Sequence, residues 1–318
     1  MLERTSKGGE RDRASGIATS SPDADVEELR ETREPLKLLY LPERDDLVQG
    51  TDAIRPNGVE RERPARSGSR CPPSMVDVAG SFCIDRYEAH LVDVKSGEPL
   101  SPFYPPDGAL ARKLSDHWSK EMSTASTRLG RELEIPELPE SQRSGSTEPM
   151  AVSKGSTTPS GYLDGIEAER ACRNAGKRLC SSTEWLTACR GEKNRPFPYG
   201  DEYVPGACNV FREAHPAALL HGNASEGHLD PRLNLVASDV GALLRPTGAT
   251  PTCRSEWGSD AIYDMVGNLD EWVEDENGAF CGGFYARATK LGCDARITSH
   301  PRPYEDYSLG VRCCKSLP

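Results

Sequence analysis

The placement of cysteine constrains this chain more than any other feature of its sequence. The chain has 11 cysteines, none in the first 70 residues and all between Cys71 and Cys314. No two form a CxxC pair, and none of the 6 histidines lies close to a cysteine pair, so the spacing does not suit a zinc site. This density predicts disulfides formed in an oxidising compartment. Because the number is odd, at least one thiol stays unpaired within a monomer.

The start of the chain conflicts with that indication of compartment. Residues 1–30 contain no apolar h-region, so no signal peptide is visible. The cysteine content predicts an extracytoplasmic or secreted protein, and a cytoplasmic protein with reduced thiols is the alternative. No apolar run approaches the ~20 residues that span a bilayer. A net charge of −11 argues against nonspecific binding to nucleic acid, which requires a basic surface.

Composition divides the chain at about residue 70. Residues 1–70 contain 28 charged residues and a single aromatic, Tyr40, which predicts a disordered tail. Residues 71–318 carry the glycine and proline of a loop-rich domain. Within this domain, residues 98–160 are rich in proline, serine and glutamate, and we expect a surface insertion there.

Local patterns predict a hairpin at the start of the domain. The runs that begin at Met75 and Phe82 are nearly alternating, and a Gly-Ser pair separates them, as in a β-hairpin. Cys71 and Cys83 flank the first run and could clip it to its partner.

Two helices are predicted further along the chain. Asp164–Ala175 has an apolar stripe at helical spacing that includes Cys172. Ser181 begins a capping-box pattern, and the helix that follows carries Cys189 on its apolar face. A glycine follows each helix and can end it. Each inward cysteine is either a small core residue or a disulfide anchor.

Five motifs in fixed order resemble those of one known family. They are Ile84–Glu88 (IDRYE), Ala175–Trp185 (AGKRLCSSTEW), Phe197–Asp201 (FPYGD), Tyr263–Trp272 (YDMVGNLDEW), and the closing pair Cys281–Gly283 (CGG) with Gly310–Cys313 (GVRC). The domain is therefore similar to the formylglycine-generating-enzyme, or sulfatase-modifying-factor, family. The resemblance implies an α+β fold of the C-type-lectin-like class, loop-rich, with short strands, two main helices and stabilising disulfides.

The resemblance also implies a disulfide pattern. The family pairs its first-helix cysteine with the cysteine of the closing motif, and its second-helix cysteine with one beyond the Gly-Gly strand. In this chain these pairs are Cys172–Cys313 and Cys189–Cys293, and Cys71–Cys83 is a third expected pair. The pairing of the other five stays open: Cys180, Cys208, Cys253, Cys281 and Cys314.

The chemistry of the family requires two cysteines, five residues apart, just after the Gly-Gly. As soft thiolates they bind copper(I) and activate oxygen, which oxidises a cysteine of the substrate. Here Arg287 and Gly292 stand at those two positions. Copper is therefore not expected. Arg287 offers a cation that could bind an anionic ligand, or that could pair with a neighbouring Asp or Glu.

These observations favour a non-catalytic domain that binds a protein or a small anionic ligand. The first alternative is a copper-dependent oxidase of the formylglycine-generating class with a displaced redox centre, acting on a cysteine of a protein substrate. The second is an enzyme of another chemistry, since a fold does not determine a function.

Calcium is the cofactor that the resemblance implies. The family's ligand positions correspond to Asp264, Gly267, Leu269 and Glu271, where a tight turn supplies hard oxygen atoms. A second site would use Asn209 and the carbonyl of Val210. The alternative is an ordinary surface turn with solvated carboxylates.

Overall fold

The computed structural model describes residues 70–239 and 241–317. The predicted disordered tail, residues 1–70, thus lies outside the described residues except for Arg70. None of the helices in the described ranges is long and apolar enough to cross a membrane.

Short strands and short helices make up the described part of the chain. The strands are β1 (Met75–Val78), β2 (Phe82–Asp85), β3 (Ala89–Asp93), β4 (Pro149–Ser153), β5 (Arg178–Leu179), β6 (Ala237–Ser238), β7 (Gly241–Ala242), β8 (Arg254–Trp257), β9 (Asp260–Tyr263), β10 (Asp270–Val273), β11 (Ala279–Cys281), β12 (Arg296–Ile297), β13 (Leu309–Val311) and β14 (Cys313–Ser316). The α-helices are α1 (Gly108–Glu121), α2 (Arg128–Glu132), α3 (Glu140–Ser144), α4 (Gly165–Asn174), α5 (Ser182–Arg190) and α6 (Pro216–His221). Single 3-10 turns lie at Met122–Thr124, Leu233–Leu235 and Gly292–Asp294.

The predicted hairpin and both predicted helices are present. β1 pairs with β2 in antiparallel register, with Val78 opposite Phe82. The N-cap of α4 is Asp164, whose carboxylate accepts hydrogen bonds from two backbone N–H groups of the first turn. The N-cap of α5 is Ser181, and with Glu184 it forms the capping box. Local sequence signals therefore set the starts of both helices.

Two four-stranded sheets form the centre of the fold. The first has the order β1-β2-β14-β5, and the second has the order β12-β11-β10-β13. Strand β14 lies between β2 and β5, in the interior of the first sheet. The parallel pair β10 and β13 brings Glu271 opposite Gly310. The fold is α+β and belongs to the C-type-lectin-like class.

The predicted insertion at residues 98–160 is only partly on the surface. Its last part includes β4, which pairs along the whole of β3 and contributes the buried Ala151 to the core. Leu100, Tyr104 and Leu138 are also buried. Gln142 in α3 is fully buried because its side chain accepts from the Ser101 N–H and donates to the Pro105 carbonyl. Tertiary packing thus draws in a stretch whose composition resembles an exposed loop.

Five disulfides join these elements. Cys71–Cys83, Cys172–Cys313 and Cys189–Cys293 are the three expected pairs. Cys180–Cys314 and Cys208–Cys253 are the two that the sequence left open. Cys172–Cys313 and Cys180–Cys314 span 141 and 134 residues. In the chain-entropy account a cross-link across a loop of this size contributes about 4–5 kcal/mol.

Candidate functional site

Arg287, which the resemblance predicts at the family's first catalytic position, is held in an ion pair. Its Nε and Nη2 donate to the same oxygen of Asp270, at 3.1 and 2.5 Å. The other Asp270 oxygen accepts from the N–H of Gly283, the second glycine of the Gly-Gly pair, at 2.9 Å. The guanidinium also lies 5.2 Å from the centre of the Phe284 ring. A neighbouring carboxylate therefore occupies the fork that an anionic ligand would use.

The partner of Arg287 is a buried group. The side chain of Asp270 is only 2% exposed, whereas that of Arg287 is 28% exposed. Burial raises the pKa of Asp270 to about 6, and the nearby Arg287 acts in the opposite direction. Nothing in the sequence singled out Asp270, which lies within the Tyr263–Trp272 motif beside Glu271.

At Gly292, which the resemblance predicts at the second catalytic position, the backbone packs closely against its neighbours. It begins a 3-10 turn with φ +59°. A Cβ at this residue would lie 2.5 Å from the Pro196 carbonyl oxygen and 2.6 Å from the Phe197 ring. The chain at this point accommodates no side chain, cysteine included.

The thiols of the protein are almost all consumed. Ten of its 11 cysteines form the five disulfides, and the remaining one is Cys281 at the end of β11. Cys281 is 3% exposed, and burial raises the pKa of its thiol to about 12. It is therefore a protonated, inaccessible core residue in the folded state.

The predicted calcium turn points its carboxylates into the protein. Glu271 accepts hydrogen bonds from Trp185 Nε1 at 2.7 Å and from the Arg312 guanidinium at 2.8 to 3.1 Å. Asp264 has φ +60° and accepts from the Gly248 N–H at 2.6 Å. Both residues are at most 3% exposed, so they are not part of an ordinary solvated surface turn.

Glu88 completes this acidic centre, although in the sequence it stood out only as the last residue of the first motif. Its two oxygens accept from the Leu269 N–H at 3.0 Å and from the Asn268 amide at 2.6 Å. Burial raises the pKa of Glu88 well above its ordinary value, and the charges of Asp264 and Glu271 add to the effect. The charge of Arg312 acts on all three of these buried carboxyl groups, and its guanidinium donates hydrogen bonds to Glu271.

The second predicted calcium pair lies beside the first turn. The Asn209 carbonyl accepts from the Asn268 N–H, and Asn209 forms a bridge with Gly267. Its side-chain amide donates to the Leu243 carbonyl and to Asn268, while its oxygen accepts from Arg212 Nε at 2.9 Å. Val210 is buried beside it.

These residues, as they are arranged, do not fit a calcium ion. Arg312 and Trp185 hold the Glu271 oxygens, and Arg212 holds the Asn209 oxygen. Across residues 70–239 and 241–317, no group of three or more Asp, Glu, His or Cys side chains could hold a metal ion. The calcium assignment stays a prediction, and no chemistry is derived through it.

Comparison with known proteins identifies relatives of this chain. The sequence profile of the sulfatase-modifying factor enzyme 1-like domain matches residues 113–317, more than half of the chain. The formylglycine-generating enzyme of Mus musculus is 24% identical over 227 residues, which cover 66% of this chain and 53% of that protein. The inactive C-alpha-formylglycine-generating enzyme 2 of Bos taurus is 26% identical over 111 residues, 35% of this chain and 30% of that protein. The chain thus spans about half the length, or less, of these curated relatives.

Two solved structures resemble this one at low TM-scores. A major tropism determinant, the U1 variant, has a TM-score of 0.37 and 14% identity, and covers 77% of this chain and 53% of that one. PvdO from Pseudomonas aeruginosa has a TM-score of 0.35 and 15% identity, and covers 74% of this chain and 80% of that one.

The raised pKa of Asp270 predicts a pH-dependent stability. Between its ordinary value of 3.8 and about 6, the unfolded chain ionises first, so rising pH favours unfolding. This gap corresponds to about 3 kcal/mol, present at low pH and lost as pH rises through 6. Urea titrations at pH 4 and at pH 7 measure the free energy of unfolding. Between these two pH values we expect it to fall more in the wild-type protein than in the Asp270→Asn variant. The exposed Asp116→Asn is the control, and equal pH dependence in all three proteins contradicts the prediction.

The crowding at Gly292 predicts that a side chain there destabilises the fold. A strained backbone alone costs roughly 1–3 kcal/mol. Gly292→Ala is expected to lower the free energy of unfolding by more than this, because its Cβ would also meet backbone and ring atoms. Gly176→Ala is the matched control, since Gly176 has φ +67° but nothing within 4 Å of its Cβ position. Thermal melts of the two variants check the prediction. A Gly292→Ala protein as stable as Gly176→Ala would mean that the turn is not packed as described.

Proposed function

We propose that this chain, which belongs to the sulfatase-modifying factor enzyme 1-like family, does not form formylglycine and acts as a binding scaffold for a protein or an anionic ligand. The observation that carries the proposal is the Arg287–Asp270 ion pair at the family's catalytic position. A guanidinium has no lone pair with which to bind a metal, and its permanent charge repels copper(I).

The use of cysteine supports the same proposal. Copper(I) in this chemistry needs two thiolates that converge on one ion. With ten cysteines in disulfides, Cys281 is left without a second thiol in its own chain. Its burial and raised pKa also oppose thiolate formation. A displaced redox centre would therefore require a disulfide to open first.

The relatives give the proposal a precedent. The family includes proteins named as formylglycine-generating enzymes and one in Bos taurus named as inactive. A protein that keeps the family's fold without the family's activity therefore has a named precedent. The five disulfides further support an extracytoplasmic or secreted location, because such bonds persist in oxidising compartments.

A direct activity assay tests the proposal. The purified protein, loaded with copper(I), is incubated with a Cys-x-Pro-x-Arg peptide while oxygen consumption and peptide mass are recorded. We expect no conversion of the thiol to an aldehyde. The formylglycine-generating enzyme of Streptomyces coelicolor, 32% identical over 114 residues, is the positive control.

Aldehyde formation above the copper-only blank would overturn the proposal. In that event the Cys281→Ser variant separates two explanations. Lost activity would place a displaced redox centre at Cys281, and retained activity would point to a chemistry that does not use this thiol.

Calcium is a separate prediction within this proposal. To bind at Asp264–Glu271, the ion has to replace Arg312 as the partner of Glu271. An ion at about 100 times its Kd that binds only the native state stabilises it by ~2.7 kcal/mol. Because the residues as arranged do not fit the ion, we expect calcium to leave the Tm unchanged, and a gain that Asp264→Asn reduces and Asp116→Asn keeps would restore the predicted site. Identical melting curves with calcium and with chelator reject the site.

A further inference from the structure

A groove of about 540 Å³ is lined by residues other than Arg287 and Asp270. Its walls are the C-terminal end of α5, the segment 191–207 and the segment 251–258 that contains β8. None of its lining residues comes from the Gly-Gly segment, from the calcium turn or from the Arg312 centre. Its size is that of a pocket for a small ligand or a few residues of peptide. We call it the basic groove.

The basic groove concentrates positive charge on an acidic protein. Four cationic side chains and two carboxylates line it: Arg190, Lys193, Arg195, Arg254, Glu192 and Glu256. The chain as a whole has 39 basic and 50 acidic residues. The balance is therefore reversed at this groove, which favours a ligand of negative charge.

Several of these cations are available to a ligand. Lys193 forms no ion pair with the residues that the structure describes. Arg195 lies 3.9 Å from Asp201, and Arg254 lies 3.6 Å from Glu256, in pairs whose acidic partners are 76% and 58% exposed. Such long, exposed pairs contribute little to stability, so a ligand carboxylate can replace them.

One of the two carboxylates in the groove is already engaged by the backbone, so it competes less with a ligand for the cations. Glu192 already accepts a hydrogen bond from the Gly258 N–H at 2.7 Å. Arg190 is the one cation held firmly, by Asp294 at 2.7 Å. Its Nε is buried and has no hydrogen-bond partner among the described residues.

Covalent bonds hold the walls of the groove in place. Arg190 follows Cys189, which is bonded to Cys293. Ala207 and Thr252, which both line the groove, adjoin the two ends of the Cys208–Cys253 disulfide. The Thr252 hydroxyl also donates to the Ala207 carbonyl at 2.6 Å. A groove that is rigid before binding loses less conformational entropy when a ligand enters.

An apolar surface lies beside the cations. Tyr199 lines the groove, and its ring stacks on Phe197 with centres 5.4 Å apart. Pro198, Pro251 and Val204 line it as well, and Val204 is 51% exposed. A ligand that matches both features carries carboxylates next to apolar groups, as an acidic peptide does and a sulfated sugar does not.

We propose that the basic groove binds an acidic, partly apolar peptide segment of a partner protein. Arg195 and Arg254 would receive its carboxylates as forked donors, Lys193 would act as a point charge, and Tyr199 with the prolines would contact its apolar side chains. The inference deepens the proposed scaffold function and rests on it. It names a ligand class and a surface distinct from the Arg287 position.

Binding of a labelled peptide to the full chain tests the proposal. The probe is a short fluorescent peptide of alternating glutamate and leucine, and the matched peptide has glutamine in place of glutamate. Fluorescence anisotropy is expected to show saturable binding of the glutamate peptide, and salt is expected to weaken it. The glutamine peptide is expected to bind at least about tenfold more weakly. The double variant Lys193→Glu and Arg254→Glu, both at exposed positions, is expected to weaken binding of the acidic peptide by at least about tenfold.

The control has the same change of charge elsewhere. Lys113→Glu with Lys120→Glu alters two exposed lysines of α1, and its affinity is expected to stay within about twofold, since surface charges a Debye length away are screened. Equal loss in both double variants would show a general charge effect and overturn the groove. Absence of binding, or binding of both peptides alike, would overturn the peptide assignment. So would a heparin oligosaccharide that binds the groove when the acidic peptide does not. Aldehyde formation in the separate activity assay would reject the proposed function without bearing on peptide binding.

Discussion

The buried ion pair between Arg312 and Glu271 is the interaction on which the rest of the domain depends. Arg312 is fully buried, and besides Glu271 it donates to the carbonyls of Asp85 and Tyr263. One guanidinium therefore joins both four-stranded sheets and the β9 strand. Removing one partner of such a pair costs about 3–5 kcal/mol, because the other charge is left unpaired in the interior. The same pair holds the Glu271 carboxylate that the resemblance assigned to calcium.

The disulfides extend this junction in two directions. Cys313 and Cys314 follow Arg312 directly, and neighbouring residues of a strand point to opposite faces of a sheet. Cys313 therefore joins α4 and its apolar cluster, whereas Cys314 joins Cys180 in the cluster on the other face. Strand β14 thus links the two core clusters through its two disulfides. This accounts for a stable fold in a protein with only 6% aromatic residues.

The same alternation on β10 separates the two acidic sites. Glu271 faces Arg312 and Trp185, while its neighbour Asp270 faces the Gly-Gly turn and Arg287. A charged pair thereby fills the space beside the Gly-Gly turn, and Gly292 is closed by the Pro196 carbonyl and Phe197. The proposed binding surface lies elsewhere, on the α5 and β8 side, where two disulfides hold the walls.

Sequence alone determined the family, the hairpin, the starts of both main helices and three of the disulfides. These follow from local signals such as the Ser181 capping box, or from motifs that match residue by residue. Tertiary structure alone decided the partner of Arg287, the pairing of Cys180 with Cys314, and the inward direction of Asp264 and Glu271. The physical reason is that each depends on residues distant in sequence. A chain with 50 acidic residues offers many partners for one arginine, and only packing decides which carboxylate is buried beside it.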